Sequence, residues 1–152
     1  MASELATLSA DVVAMVEGFG GTLAGIRVER RYLGLKKLEE ITAQPSITVV
    51  PAAQTKTRRS RGEHDRERRI SLAYQEKLVA DETADGVDPG DAAMEKAEAL
   101  AEGFEVGDGI GSGDGLHQIT EILHEPIFVQ EHLRQHGVFT SVVTLVLRRV
   151  KG

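Results

Sequence analysis

The sequence contains no cysteine and no tryptophan, and aromatic residues make up only 4 % of its 152 positions. Without cysteine there is no disulfide, no thiolate nucleophile and no cysteine-type zinc site. No stretch approaches the roughly 20 apolar residues that span a bilayer, and the opening residues do not run from a basic segment into an apolar one. A chain made and kept in water, with no membrane partner, is expected. The scarcity of rings leaves Val, Leu, Ile and Ala to build the core, with Phe19, Phe104, Phe128 and Phe139 as its few bulky pieces.

The length suits a single domain over 1–152, and a hydrophobic content of 41 % is ordinary for a globular core. Sixteen glycines and a thin core point to segments that become ordered against partners, because loops that bury little apolar surface do not offset the entropy of fixing them. The net charge of −6 is unevenly spread. Lys56 to Arg69 holds seven Lys or Arg against three acids, and Asp81 to Asp114 holds eleven acids against the single Lys96. Such blocks pair between neighbouring subunits, face a different third party each, or are two solvated loops.

Leu8, Val12, Val13, Met15, Val16 and Phe19 recur near the helical period, and Gly20-Gly21 stops that helix. Leu23 to Leu33 suits a strand with one wet side, and Leu35 to Ile41 a short turn or helical link. Ser46 to Val50 is a β-branched run that Pro51 is expected to close. Thr55–Arg59 and Arg66–Leu78 then form the arms of a hairpin, with Ile70, Leu72 and Tyr74 on its buried face. Its outer end, 56–69, reads as a basic arm projecting beyond the core.

Asp91 is a plausible N-cap for a helix through Glu102, with Ala93, Met94, Ala97, Leu100 and Ala101 inside and an acidic outer face that includes Glu95, Glu98 and Glu102. The Gly/Asp/Ser stretch 107–115 reads as a flexible loop. Leu116 to Leu123 fits a strand, although Ile119, Ile122 and Leu123 fit a helix almost as well. Glu131 to His136 reads as a helical turn. Val138 to Val150 is a β-rich run with Phe139, Val143, Leu145 and Leu147 on one face and Val142, Val146 and Val150 on the other, as in a central strand.

No motif carries catalysis. The glycine loop lacks the Gly-Lys-Ser/Thr of a Walker loop, the βαβ setting of a dinucleotide loop and the ligand set of an EF-hand. His132 and His136 share a helical face, but His-Leu-Arg-Gln-His lacks the glutamate of zinc hydrolases, and a third ligand would have to come from His117 or His124. No catalytic residue, metal or cofactor is expected. The basic residues Lys56, Arg58, Arg59, Arg61, Arg66, Arg68 and Arg69 suit acidic protein surfaces first and nucleic-acid phosphates second, since no aromatic residue is interleaved for base stacking.

Three segments carry a resemblance. The order Glu29-Arg30-Arg31-Tyr32-Leu33, Leu38-Glu39-Glu40-Ile41 and Ile47-Thr48-Val49-Val50-Pro51 resembles the front half of the tail-terminator and tail-completion (neck) proteins of tailed bacteriophages. Glu131-His132-Leu133 followed by Val138-Phe139-Thr140-Ser141-Val142-Val143-Thr144-Leu145 resembles their closing strand, and Arg61-Gly62 with Ile70 to Lys77 fits their hairpin. The resemblance implies an α+β fold, a mixed or mainly antiparallel sheet with two main helices packed on it. It also implies a virion protein, assembled in the host cytoplasm as a ring, typically a hexamer, that caps the tail tube protein and meets the head–tail connector or head-closure protein. Within such a ring the basic hairpin (Arg58, Arg59, Arg61, Arg66, Arg68, Arg69) is expected to face the acidic helix (Glu95, Glu98, Glu102) of the next copy, with non-specific contact to genomic DNA as a further role.

Overall fold

The computed structural model describes residues 4–31, 44–60, 63–78, 89–105, 109–111, 116–132 and 137–149. Arg61, the link 35–41 and Val150 lie outside these residues, as do the side chains of Arg58 and Arg59 and most of the loop 107–115. The described chain runs α1 (Glu4–Glu17), a 3₁₀ turn (Gly21–Leu23), β1 (Arg27–Arg30), β2 (Ser46–Ser60), β3 (Glu63–Lys77), α2 (Pro89–Gly103), β4 (His117–His124) and β5 (Val138–Arg149). The strands form one sheet in the order β1-β2-β3-β5-β4. β1 runs parallel to β2 and the other pairs are antiparallel. The fold is α+β with a mixed sheet.

Register shows which residues share a face. Ile47, Val49, Ile70, Leu72, Tyr74, Val143, Leu145 and Leu147 lie on one side and pack with Leu8, Val12 and Val16 of α1 and Ala93, Ala97 and Leu100 of α2. The i, i+4 spacing of Leu8, Val12 and Val16 places all three on one stripe, each no more than 2 % exposed. α1 ends where Gly18 N–H bonds back to the carbonyls of Ala14 and Met15, and Gly21 follows at φ 67°, a backbone state that favours glycine. Edge-to-face packing of Phe19 on Phe104, with centroids 5.1 Å apart, joins the end of α1 to the end of α2.

Several boundaries differ from the sequence expectation, each for a local reason. Asp91 lies in the first turn of α2 and is not its N-cap, because the helix starts at Pro89, whose fixed φ suits a first helical position. Of the strand expected over Leu23 to Leu33, Arg27–Arg30 is β, while Leu23 closes the 3₁₀ turn and is buried. Pro51 does not end its strand. β1 pairs with β2 only from Ser46 to Val49, and the chain passes through Pro51 on an irregularity between Pro51 and Ala53, beyond the end of β1 where a missing N–H is tolerated.

A second irregularity, between Ile119 and Glu121, resolves the helix-or-strand ambiguity of β4. The extra residue resets the alternation, so Ile119 opposite Leu147 and Ile122 opposite Leu145 both face the core although they are three apart. Thr120 at the bulge spends its hydroxyl on the Val146 carbonyl, 3.2 Å away. β5 lies between β3 and β4, and from Phe139 to Leu147 its two faces hold the expected residues, with Val146 on the side away from the helices only 3 % exposed.

Candidate interaction surface

The alternation that buries Ile70, Leu72 and Tyr74 continues outward to Arg68 and Arg66. Arg68 pairs in register with Gln54 on one side and Leu147 on the other, within the sheet. It is 1 % exposed, which overturns its placement on a projecting arm: its own chain already surrounds it. Nη2 donates to the Glu4 carboxylate at 2.7 Å, Nε to the side-chain oxygen of Gln54 at 3.0 Å, and Nη1 meets Nε2 of the buried His117. Since a guanidinium only donates, that histidine nitrogen is the acceptor in this contact. Arg149 at 3.2 Å and Arg66 at 3.7 Å also face the Glu4 carboxylate. Burial alone would raise the Glu4 pKa, but the hydrogen bond from Arg68 and the charges of Arg68 and Arg149 outweigh it and hold the carboxyl below its ordinary value.

These contacts change how the basic block reads. β3 pairs with β5 as far as Glu67 opposite Arg148, so Glu67, Arg68 and Arg69 belong to the sheet. Beyond that point β2 and β3 pair only with each other among the described residues, from Lys56 opposite Arg66 to Ser60 opposite Glu63. Arg66 is half-buried against Glu4. Arg69 is exposed beside Glu67, at 3.4 Å. Glu95, Glu98 and Glu102 are all exposed on α2, opposite its buried stripe.

Of the histidines weighed as metal ligands, His136 lies outside the described residues and the other three have protein partners. His117 is buried beside Arg68, Nε2 of His124 lies 2.6 Å from the Ser141 hydroxyl, and Nδ1 of His132 lies 2.9 Å from that of Thr140. Among the described residues no three His, Cys, Asp or Glu stand close enough to hold a metal ion. The glycine-rich loop is anchored where it is described: Ile110 is 3 % exposed and exchanges two backbone hydrogen bonds with His117, both 2.8 Å. A Cβ at Gly109 would lie 2.6 Å from the His117 carbonyl oxygen, so glycine is required there by close approach of two backbones.

A second polar group lies on the sheet face away from the helices. Ser46 and Gln75 are register partners, and Gln75 in turn sits opposite Thr140. The Gln75 amide donates to the Thr140 hydroxyl at 3.3 Å, but its side-chain oxygen and the Ser46 hydroxyl are buried without a hydrogen-bond partner among the described residues.

Sequence reasoning did not find Glu4, Gln54 and His117 as the partners of Arg68. The burial of Arg68 was legible by extending the alternation of Ile70, Leu72 and Tyr74 by one step, whereas Glu4 lies 64 residues away with no local signal. No protein-family model matches the sequence, and no curated protein matches it.

Proposed function

We propose that this chain is a structural subunit of a tailed-bacteriophage neck, a tail terminator or tail-completion protein. It forms a ring, a hexamer in this reading, that caps the tail tube and offers the surface for the head–tail connector or head-closure protein. The observation that carries the reading is the separation of charge onto two different elements of a small α+β domain. Glu95, Glu98 and Glu102 are exposed together on α2, and Lys56, Arg58 and Arg59 stand in the stretch of β2 that pairs with β3 beyond the last described pairing of β3 with β5. A ring needs two unlike, complementary patches on each copy, and this arrangement supplies them. The resemblance in chain order to the neck proteins supports the same assignment.

The test is the solution mass across protein concentration and salt, by light scattering coupled to size exclusion. Rings, or monomers that form rings on purified tail tubes, are expected. Reversing Arg58, Arg59 and Arg61 to Glu is expected to leave a folded monomer that does not assemble; unchanged assembly of that variant would remove the hairpin from the interface.

The run of cations favours one second reading, a head-closure or accessory protein whose hairpin grips DNA phosphates. A log–log fall of DNA affinity with salt is its signature, and no binding at low salt would exclude it.

A further inference from the structure

His117, His124 and His132 each meet a side-chain partner, and the partners differ in what they can give. Ser141 and Thr140, which face His124 and His132, carry hydroxyls that donate or accept as the ring requires. Protonating either ring leaves its contact intact, because the hydroxyl turns a lone pair toward the new N–H. His117 instead faces the guanidinium of Arg68, which has donors only and keeps its charge at every physiological pH. That contact holds only while Nε2 of the ring is unprotonated.

The surroundings oppose a second proton on the ring. His117 and Arg68 are each 1 % exposed, so water does not screen one charge from the other. Among the described residues, the charged groups at the cluster are Arg66 and Arg68 from β3, Arg149 from β5, which is the register partner of His117, and Glu4 from α1. Gln54, from β2, is neutral. Three guanidiniums already share the Glu4 carboxylate, and an imidazolium would add a fourth cation. It would also leave a buried guanidinium N–H facing a donor of its own sign.

The same ring sits at a joint. His117 opens β4, where its N–H and C=O exchange hydrogen bonds with Ile110. Through Arg68 and Glu4 it is also tied to the first turn of α1.

We propose that the Arg68–His117 contact is a pH-sensitive latch: with the ring neutral it holds the Ile110 bridge and the first turn of α1 to the sheet, and protonation of the ring releases them. The sign follows from the protons bound. The closed state holds none at Nε2, whereas in the opened state water surrounds the ring and it titrates near the ordinary histidine value of about 6.5. Acid therefore favours opening, and the latch is fully effective above that value and weakens as pH falls below it. Glu4, held under its ordinary 4.5, titrates lower still, so the two acid effects fall in separate ranges.

The test uses amide hydrogen exchange on the full chain. The amides of Ile110 and His117 report on the latch, because each donates to the other residue's carbonyl. Their protection, corrected for the intrinsic pH dependence of exchange, is expected to fall by about tenfold between pH 7.5 and 5.5. In His117→Gln, whose side-chain oxygen accepts without titrating, protection is expected to stay constant over that range, whereas His124→Gln and His132→Gln retain the fall. An equal fall in His117→Gln would overturn the latch. Should that variant not fold, ring-nitrogen spectra of the wild-type chain decide. An Nε2 of His117 that stays unprotonated in the folded protein at pH 5.5 supports the proposal; one that takes up a proton near pH 6.5 with protection at Ile110 unchanged overturns it.

Discussion

Two buried polar groups on opposite faces of the sheet are solved differently. On the helix-covered face Arg68 is fully enclosed, with its guanidinium distributed over Glu4, Gln54 and His117. On the opposite face Ser46 and Gln75 are also buried, yet one hydroxyl and one amide oxygen have no hydrogen-bond partner among the described residues. A buried charge without a partner is far costlier than a buried neutral dipole, so the first group must be completed and the second need not be. The Arg68 cluster also joins the first turn of α1 to β2, β3 and β4, which makes it a clamp on the fold. The Ser46–Gln75 row links strands that already share a backbone ladder.

The contrast predicts a descending series. The largest effect is expected for Glu4→Ala, which strands Arg68; with Glu4 partly exposed the loss is about 3 kcal/mol, or a fall in Tm near 10 °C, measurable by thermal and denaturant unfolding. Gly109→Ala is next, at about 1–2 kcal/mol, because the added Cβ strikes the His117 carbonyl and shifts the strand end that holds the imidazole against Arg68. Acid should separate the two groups. The folded-state pKa of Glu4 is depressed below the ordinary 4.5, so its stabilisation is present above that value and is lost as pH falls through the folded pKa. Urea titrations at a series of pH values should therefore show wild-type stability falling below about pH 4.5, with a shallower fall in Glu4→Gln. The smallest change is expected for Gln75→Met with Ser46→Ala, within about 1 kcal/mol of wild type and in the stabilising direction if anything, since both orphaned atoms are removed at nearly constant shape. A loss as large as that of Glu4→Ala would show that the second row also clamps the fold.

Gly103→Ala offers a local check at the helix junction. Its Cβ would approach the Phe19 ring to 2.5 Å, but that ring is half-buried and has room to turn outward, so a cost of about 1 kcal/mol is expected.

Much of this fold was legible in the residues themselves. The i, i+4 spacing of Leu8, Val12 and Val16, the alanine stripe of α2 and the alternation along β5 each express a period set by neighbouring residues, and each element formed with those residues inside. Where a period was broken, local reading faltered. The three-residue spacing of Ile119 and Ile122 imitates a helix because a bulge restores their common face, and Pro51 ends a strand only if the strand is fully paired on both sides. The acidic face of α2 was equally plain, since a helix with alanines on one side has only one side for its glutamates.

What the residues determined by themselves is therefore the set of elements, the apolar face of most of them and the division of charge between 56–69 and 81–114. Tertiary structure decided which of those charges stay available. Arg68 and Arg69 are adjacent in sequence and chemically identical, but one is sealed under α1 and the other lies on the surface. The difference comes from strand order: it places β3 beside β5 and the first turn of α1 over their end. There a carboxylate 64 residues away completes a charge that no neighbour in the sequence could satisfy.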